Sequence, residues 1–128
     1  MGKPEGTIEN YLVKQVEQHN CLCYKFVSPS NRGVPDRIVI TPDGITHYVE
    51  LKSENGSLSP IQKKTILTFQ KQNASVFVID TRKGVNLFLE YVFHEIQEIP
   101  EEINPEYFIN DDRKPVARPK KQKINFMT

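Results

Sequence analysis

The sequence predicts an α/β fold, a mixed β-sheet flanked by helices, and two observations carry that prediction. The first is a pair of apolar, β-rich segments, Arg37 to Ile40 and Thr46 to Lys52, joined by the turn residues Pro42-Asp43-Gly44. That pattern is a hairpin. The second is a nearly all-apolar run, Val76 to Asp80, that follows a helical stretch. Such a strand is buried on both faces, and the helix before it predicts parallel pairing through a crossover.

The remaining elements follow along the chain. Thr7 caps a helix that runs to about His19, with Ile8, Leu12, Val13 and Val16 on its apolar face and Tyr11 at the margin. Glu9 falls inside that apolar arc, so it lies at the edge of the core or has a partner such as a metal. Cys21 to Val27 reads as a short strand, and Ser28 to Val34 as a loop by its turn residues. Pro35-Asp36 stands at the entrance of the hairpin. On the returning arm Tyr48, Glu50 and Lys52 point to one face, and His47, Val49 and Leu51 to the other. Ser59 as N-cap, Pro60 at the first position and Gln62 at N3 open a second helix that ends near Asn73. Arg82-Lys83-Gly84 reads as a turn. Val85 to about Glu98 reads as a third helix, although Val85, Leu87 and Leu89 fit a strand as well.

A chain of 128 residues is one domain by default and buries a core without disulfide or metal staples. Cys21 and Cys23 are too close for an unstrained bridge and too few for a metal site, which leaves free, buried or half-buried thiols. His19, His47 and His94 show no ligand spacing. Net charge is only +1, but its distribution is uneven. Residues 90–112 hold eight acids and no Lys or Arg, and residues 113–128 hold six basic residues and no acid. The expected organisation is therefore one domain over 1–112 and a basic tail over 113–128. The tail either touches phosphates or an acidic partner, or is a solvated, partly disordered terminus. No apolar run approaches a membrane span, and no apolar segment follows the first residues, so a cytoplasmic location is expected.

The chemistry concentrates at Asp36, Glu50 and Lys52. Two carboxylates brought together by one hairpin can hold a divalent ion with water and substrate oxygens. The Leu51 carbonyl is a further oxygen ligand, and Glu9 could reach the ion through water. Lys52 can steer water or offset charge on a phosphate, so the set suits phosphodiester hydrolysis. The competing reading makes Glu50 and Lys52 surface residues of an exposed sheet face. Gln62 either supports the site or closes a capping box with Ser59. Arg32, Arg37, Lys25, Lys63 and Lys64 are candidate phosphate contacts or, singly, solvated charges. Tyr24 and Tyr48 pack against a sugar or base, or in the core.

Gly33-Val34-Pro35-Asp36-Arg37, Tyr48-Val49-Glu50-Leu51-Lys52-Ser53 and Leu58-Ser59-Pro60-Ile61-Gln62 together resemble the VRR-NUC family of virus-type replication-repair nucleases, within the PD-(D/E)XK superfamily. The likeness spans roughly Thr7 to Phe93. It implies a restriction-endonuclease-like αβββαβ core and metal-dependent cleavage of DNA, with Mg²⁺ as the ion and Mn²⁺ as a substitute. It carries metal binding onto Asp36 and Glu50, the catalytic ammonium onto Lys52, a supporting role onto Gln62 and the first-helix acid onto Glu9. Small standalone members, often from phages, imply a homodimer acting on branched DNA such as Holliday junctions in repair. For a phage protein the location implied is the bacterial cytoplasm. The alternatives are a catalytically idle DNA-binding module of the same fold, or a nuclease acting on linear or single-stranded DNA.

Overall fold

A computed structural model describes residues 4–54 and 56–110; the basic tail predicted over 113–128 lies outside them. Strand β1 (Leu22–Lys25), β2 (Arg37–Ile40) and β3 (Thr46–Leu51) form an antiparallel meander, and β4 (Ser75–Ile79) joins β3 in parallel, in the order β1-β2-β3-β4. The crossover is α2 (Pro60–Lys71), as the apolar last strand requires. Helices α1 (Pro4–Gln18) and α3 (Arg82–Val92) cover one face of the sheet. Their core joins Leu12 and Val16 to Val39, Val49, Phe77 and Phe88. A smaller core on the other face joins Leu58 and Ile66 to Val76, Val78 and Phe108. Phe108 belongs to α4 (Pro105–Ile109), which follows a single 3₁₀ turn at Glu101–Ile103. Among the described residues, no helix is long and apolar enough to cross a membrane.

The boundaries differ from the sequence reading at three places. Helix α1 starts at Pro4 rather than at a Thr7 cap; proline is accepted in a first turn, where its missing N–H has no partner to lose. Arg82-Lys83-Gly84 is the first turn of α3, not a loop, and Val85 to Leu89 are helical rather than extended. Thr81 caps this helix, its hydroxyl accepting from the Gly84 N–H at 2.9 Å. Gly84 is there for space: a Cβ would come within 3.2 Å of Ile79 and 3.3 Å of Ile103. The helix stops at Val92, short of Glu98, and the chain turns back at His94 with φ of +67°.

Both thiols are free and buried, as expected. Burial pushes Cys23 up to about 11, with nearby Arg37 opposing the shift, so the group is an inert thiol at neutral pH.

His47 is buried beside Phe77 and Phe88, its Nδ1 2.7 Å from the Ser75 hydroxyl. Burial holds its pKa below the ordinary 6.5; Asp43 opposes the shift and His94 adds to it. The unfolded chain therefore binds more protons below pH 6.5 than the folded one does. Stability is unaffected above that value and is lost as pH falls beneath it. Urea midpoints taken from pH 7.5 down to about pH 5.5 should fall, and His47→Gln should flatten that slope. An unchanged slope in the variant would remove His47 as its source.

Candidate active site

The antiparallel ladder between β2 and β3 runs out where Pro35 has no N–H to give. Asp36 takes over there. Its backbone carbonyl accepts from Phe26 N at 2.9 Å, and its side-chain Oδ2 accepts from Leu51 N at 2.8 Å. One carboxylate is thereby fixed against the backbone of the residue that lies between Glu50 and Lys52. Strand alternation puts Asp36 on the face of Ile38 and Ile40, and Glu50 and Lys52 on the same face with Tyr48.

Glu50 sits in the parallel register opposite Val78 and is 1% exposed. A carboxylate this buried is costly to ionise without a compensating cation. Lys52 Nζ is 3.7 Å from Glu50 Oε2, close enough for attraction but too long for a good hydrogen bond. Lys52 itself is anchored by its backbone, which donates to Ile79 O at 3.0 Å.

The structure thus brings Asp36, Glu50 and Lys52 together and gives Gln62 and Glu9 defined partners. Gln62 closes the capping box: its Oε1 accepts from Ser59 N at 2.9 Å, and its own N–H donates to Ser59 Oγ at 3.3 Å. Its amide nitrogen and the second lone pair of its oxygen are left to the site role. Glu9 meets Arg37, whose Nε donates to Glu9 Oε2 at 2.7 Å, on the α1 side of the sheet near Cys23. The acid that stood out on the apolar stripe of α1 therefore pairs with an arginine, and Arg37 is turned toward it. Tyr48 packs edge-on against Phe69 with centroids 5.0 Å apart, whereas Tyr24 is 60% exposed on the edge strand rather than in the core.

Arg32 is exposed, and so is Lys25 at the end of β1; Lys63 is half-buried on α2 beside Gln62. The loop carrying Arg32 is pinned to α2, because the Thr65 hydroxyl donates to Arg32 O at 3.1 Å. Gly33 makes this approach possible. Its φ is +83°, and a Cβ would fall 2.8 Å from Ile61 O and 2.9 Å from Thr65 Oγ1. Gly33→Ala should therefore cost about 1–2 kcal/mol for the left-handed backbone, before the overlap is counted. A thermal-unfolding midpoint lower by several degrees is the expected result; an unchanged midpoint would show that the loop can lift off α2 freely.

Sequence reasoning did not find the groove that this loop and α2 enclose. It measures about 470 Å³ and has Phe26 and Phe69 among its lining, with Arg32 and Lys64. It is built from separate stretches of chain whose proximity no local pattern announces.

Among the described residues, no three or more His, Cys, Asp and Glu side chains assemble as a metal site. An ion at Asp36 and Glu50 would rest on two carboxylates, a backbone oxygen, water and substrate. That set of hard oxygen donors fits Mg²⁺ or Mn²⁺ and does not fit zinc.

A model of the VRR-NUC domain matches residues 22–83. The chain is 37% identical over 78 residues to "Putative nuclease p44" of Acyrthosiphon pisum secondary endosymbiont phage 1, spanning 61% of this chain and 84% of that protein. A solved structure described as a VRR_NUC domain superposes with a TM-score of 0.67 at 32% identity, covering 70% of this chain and 98% of the other. Asp36, Glu50 and Lys52 all lie inside the stretch that the domain model matches, and the sheet holding them belongs to a fold shared with a solved member. The chain belongs to the VRR-NUC family of nucleases.

Proposed function

We propose that the protein is a Mg²⁺-dependent endonuclease that hydrolyses phosphodiesters in branched DNA, such as Holliday junctions, during repair in a bacterial cytoplasm. The observation that supports this most is the bond from Leu51 N to Asp36 Oδ2, which gathers Asp36, Glu50 and Lys52 at one strand end. Asp36, Glu50 and the Leu51 carbonyl would hold the ion, whose chemistry is to polarise the phosphate and make water a nucleophile at neutral pH. Lys52 offsets the negative charge that builds on phosphate oxygens, and its ammonium can donate to the attacking water or to a non-bridging oxygen. The near-complete burial of Glu50 excludes bulk water from one side and strengthens each of these charge interactions. The amide nitrogen of Gln62 is a donor suited to orienting water, while its oxygen holds the helix start. Arg32, with Lys25 and Lys63, would grip the DNA backbone.

A homodimer suits a substrate with two-fold symmetry. In support, β1 is an edge strand with Leu22 50% and Tyr24 60% exposed, a surface that a second copy would cover.

A labelled four-way junction and a matched linear duplex, each incubated with Mg²⁺ or with EDTA, test the reading. Cutting of the junction with Mg²⁺ alone is the expected result. Binding without cutting in any divalent metal would leave an idle DNA-binding module. Equal cutting of both substrates would remove the preference for branches.

A further inference from the structure

We infer that the groove between the 28–34 loop and α2 receives one unpaired nucleotide of the substrate strand, its base against Phe26 and Phe69 and its phosphates at Arg32 and Lys64. This deepens the nuclease reading and rests on it for the identity of the strand.

The floor of the groove is aromatic and braced. Phe26 and Phe69 have centroids 6.3 Å apart, and Tyr48 supports both, at 5.8 Å and 5.0 Å. Its rim is polar, with Asn31 and Thr68 among the hydrogen-bonding side chains. Among the described residues, its charged lining consists of the cations Arg32 and Lys64. At about 470 Å³ it falls within the roughly 300–1,000 Å³ of small-ligand pockets. An apolar aromatic floor beneath a cationic, hydrogen-bonding rim is the chemistry of a nucleotide: a flat ring that stacks, edges that bond, and flanking phosphates.

Base pairing decides which nucleotide can enter. A base inside a duplex has both faces stacked and its edge paired, so it cannot reach the floor. A bulged or single-stranded base can. The groove also lies close to the cutting site. Arg32 is four residues from Asp36, and four residues span at most about 14 Å. That distance is about four nucleotide steps at the 3.4 Å rise of one strand. The groove therefore selects DNA with an unpaired nucleotide near the cut, which a four-way junction supplies only where a pair at the branch point opens.

The test uses the full chain in EDTA, which separates binding from cutting. The probe is a duplex with a single central 2-aminopurine bulge, compared with the same duplex fully paired. The bulged duplex should bind roughly ten- to a hundred-fold tighter, the value of one base stacked on aromatic rings, and its 2-aminopurine emission should be quenched. Phe69→Leu, which keeps apolar bulk in the groove and removes one of its two rings, should cut both the preference and the quenching. Lys64→Glu, an exposed reversal of charge, should weaken the bulge complex if the ring variant does not fold. Equal affinity for the two duplexes, or a preference that survives Phe69→Leu undiminished, overturns the inference. So does dAMP competing as tightly as the bulge, which would make the groove a site for free nucleotides. Cutting in Mg²⁺ without a bulge preference would sink the groove alone; a bulge preference without cutting would sink the nuclease reading and leave the groove.

Discussion

Asp36→Asn should abolish DNA cleavage with the fold intact, whereas Asp36→Ala should lose cleavage and stability together. The difference follows from the two things one carboxylate does. Its Oδ2 accepts the N–H of Leu51, a residue with no solvent exposure, so that donor has no water to fall back on. Asparagine keeps an acceptor at the same position and removes the negative charge. Alanine removes the acceptor as well and leaves a buried N–H unsatisfied, at about 1–3 kcal/mol. Cleavage should fall in both variants by more than the roughly 10–100-fold that losing an outer-shell partner of a metal ligand costs. Thermal unfolding read beside junction cleavage separates the two roles. Normal cutting by Asp36→Asn would end the catalytic assignment. Equal stability of the two variants would make the bond to Leu51 N irrelevant to the hairpin end.

Local signals carried much of the fold. Gly44 closes the hairpin with φ of +86°, Ser59 and Gln62 make both bonds of their capping box, and Asn73 turns left-handed after α2, at φ of +62°. Each depends on residues a few positions apart, and such signals can be read directly. The parallel placement of β4 was legible for the same reason, since a strand without polar alternation has no solvent face.

What depended on distant partners was not legible. Glu9 stood out because an acid on an apolar stripe needs a reason, but nothing nearby names Arg37, 28 residues on. Gly84 looked like a turn residue and is a spacer between Ile79 and Ile103. The acidic stretch after Glu90 announced only its charge and no role, yet Ile103 and Phe108 leave it for the core. Two apolar residues in so short a segment set up no period, and their burial is decided by the sheet they meet. At the site, sequence placed Glu50 and Lys52 on one face through strand alternation. It could not show that Glu50 is 1% exposed, which changes the electrostatics more than the pairing does.

That burial leads to the second large effect: Mg²⁺ should raise the thermal midpoint of the wild-type chain, and Glu50→Gln should not respond. A carboxylate out of water is destabilising unless a cation compensates it. Lys52 supplies one positive charge 3.7 Å away, and a divalent ion would supply more. An ion held by Asp36 and Glu50 would bind the folded chain and not the unfolded one, so at ten times its Kd it adds about 1.4 kcal/mol of stability. That corresponds to several degrees in Tm. Glutamine retains the shape of the site and removes the charge that attracts the ion. Lys52→Met provides the decisive contrast. It should stop cleavage, yet keep or enlarge the Mg²⁺ response, because the ammonium that competes with the ion for Glu50 is gone. A merely ionic effect of salt would stabilise all three proteins alike at matched ionic strength. The same shift in Glu50→Gln as in the wild type would show that the buried carboxylate is not a ligand.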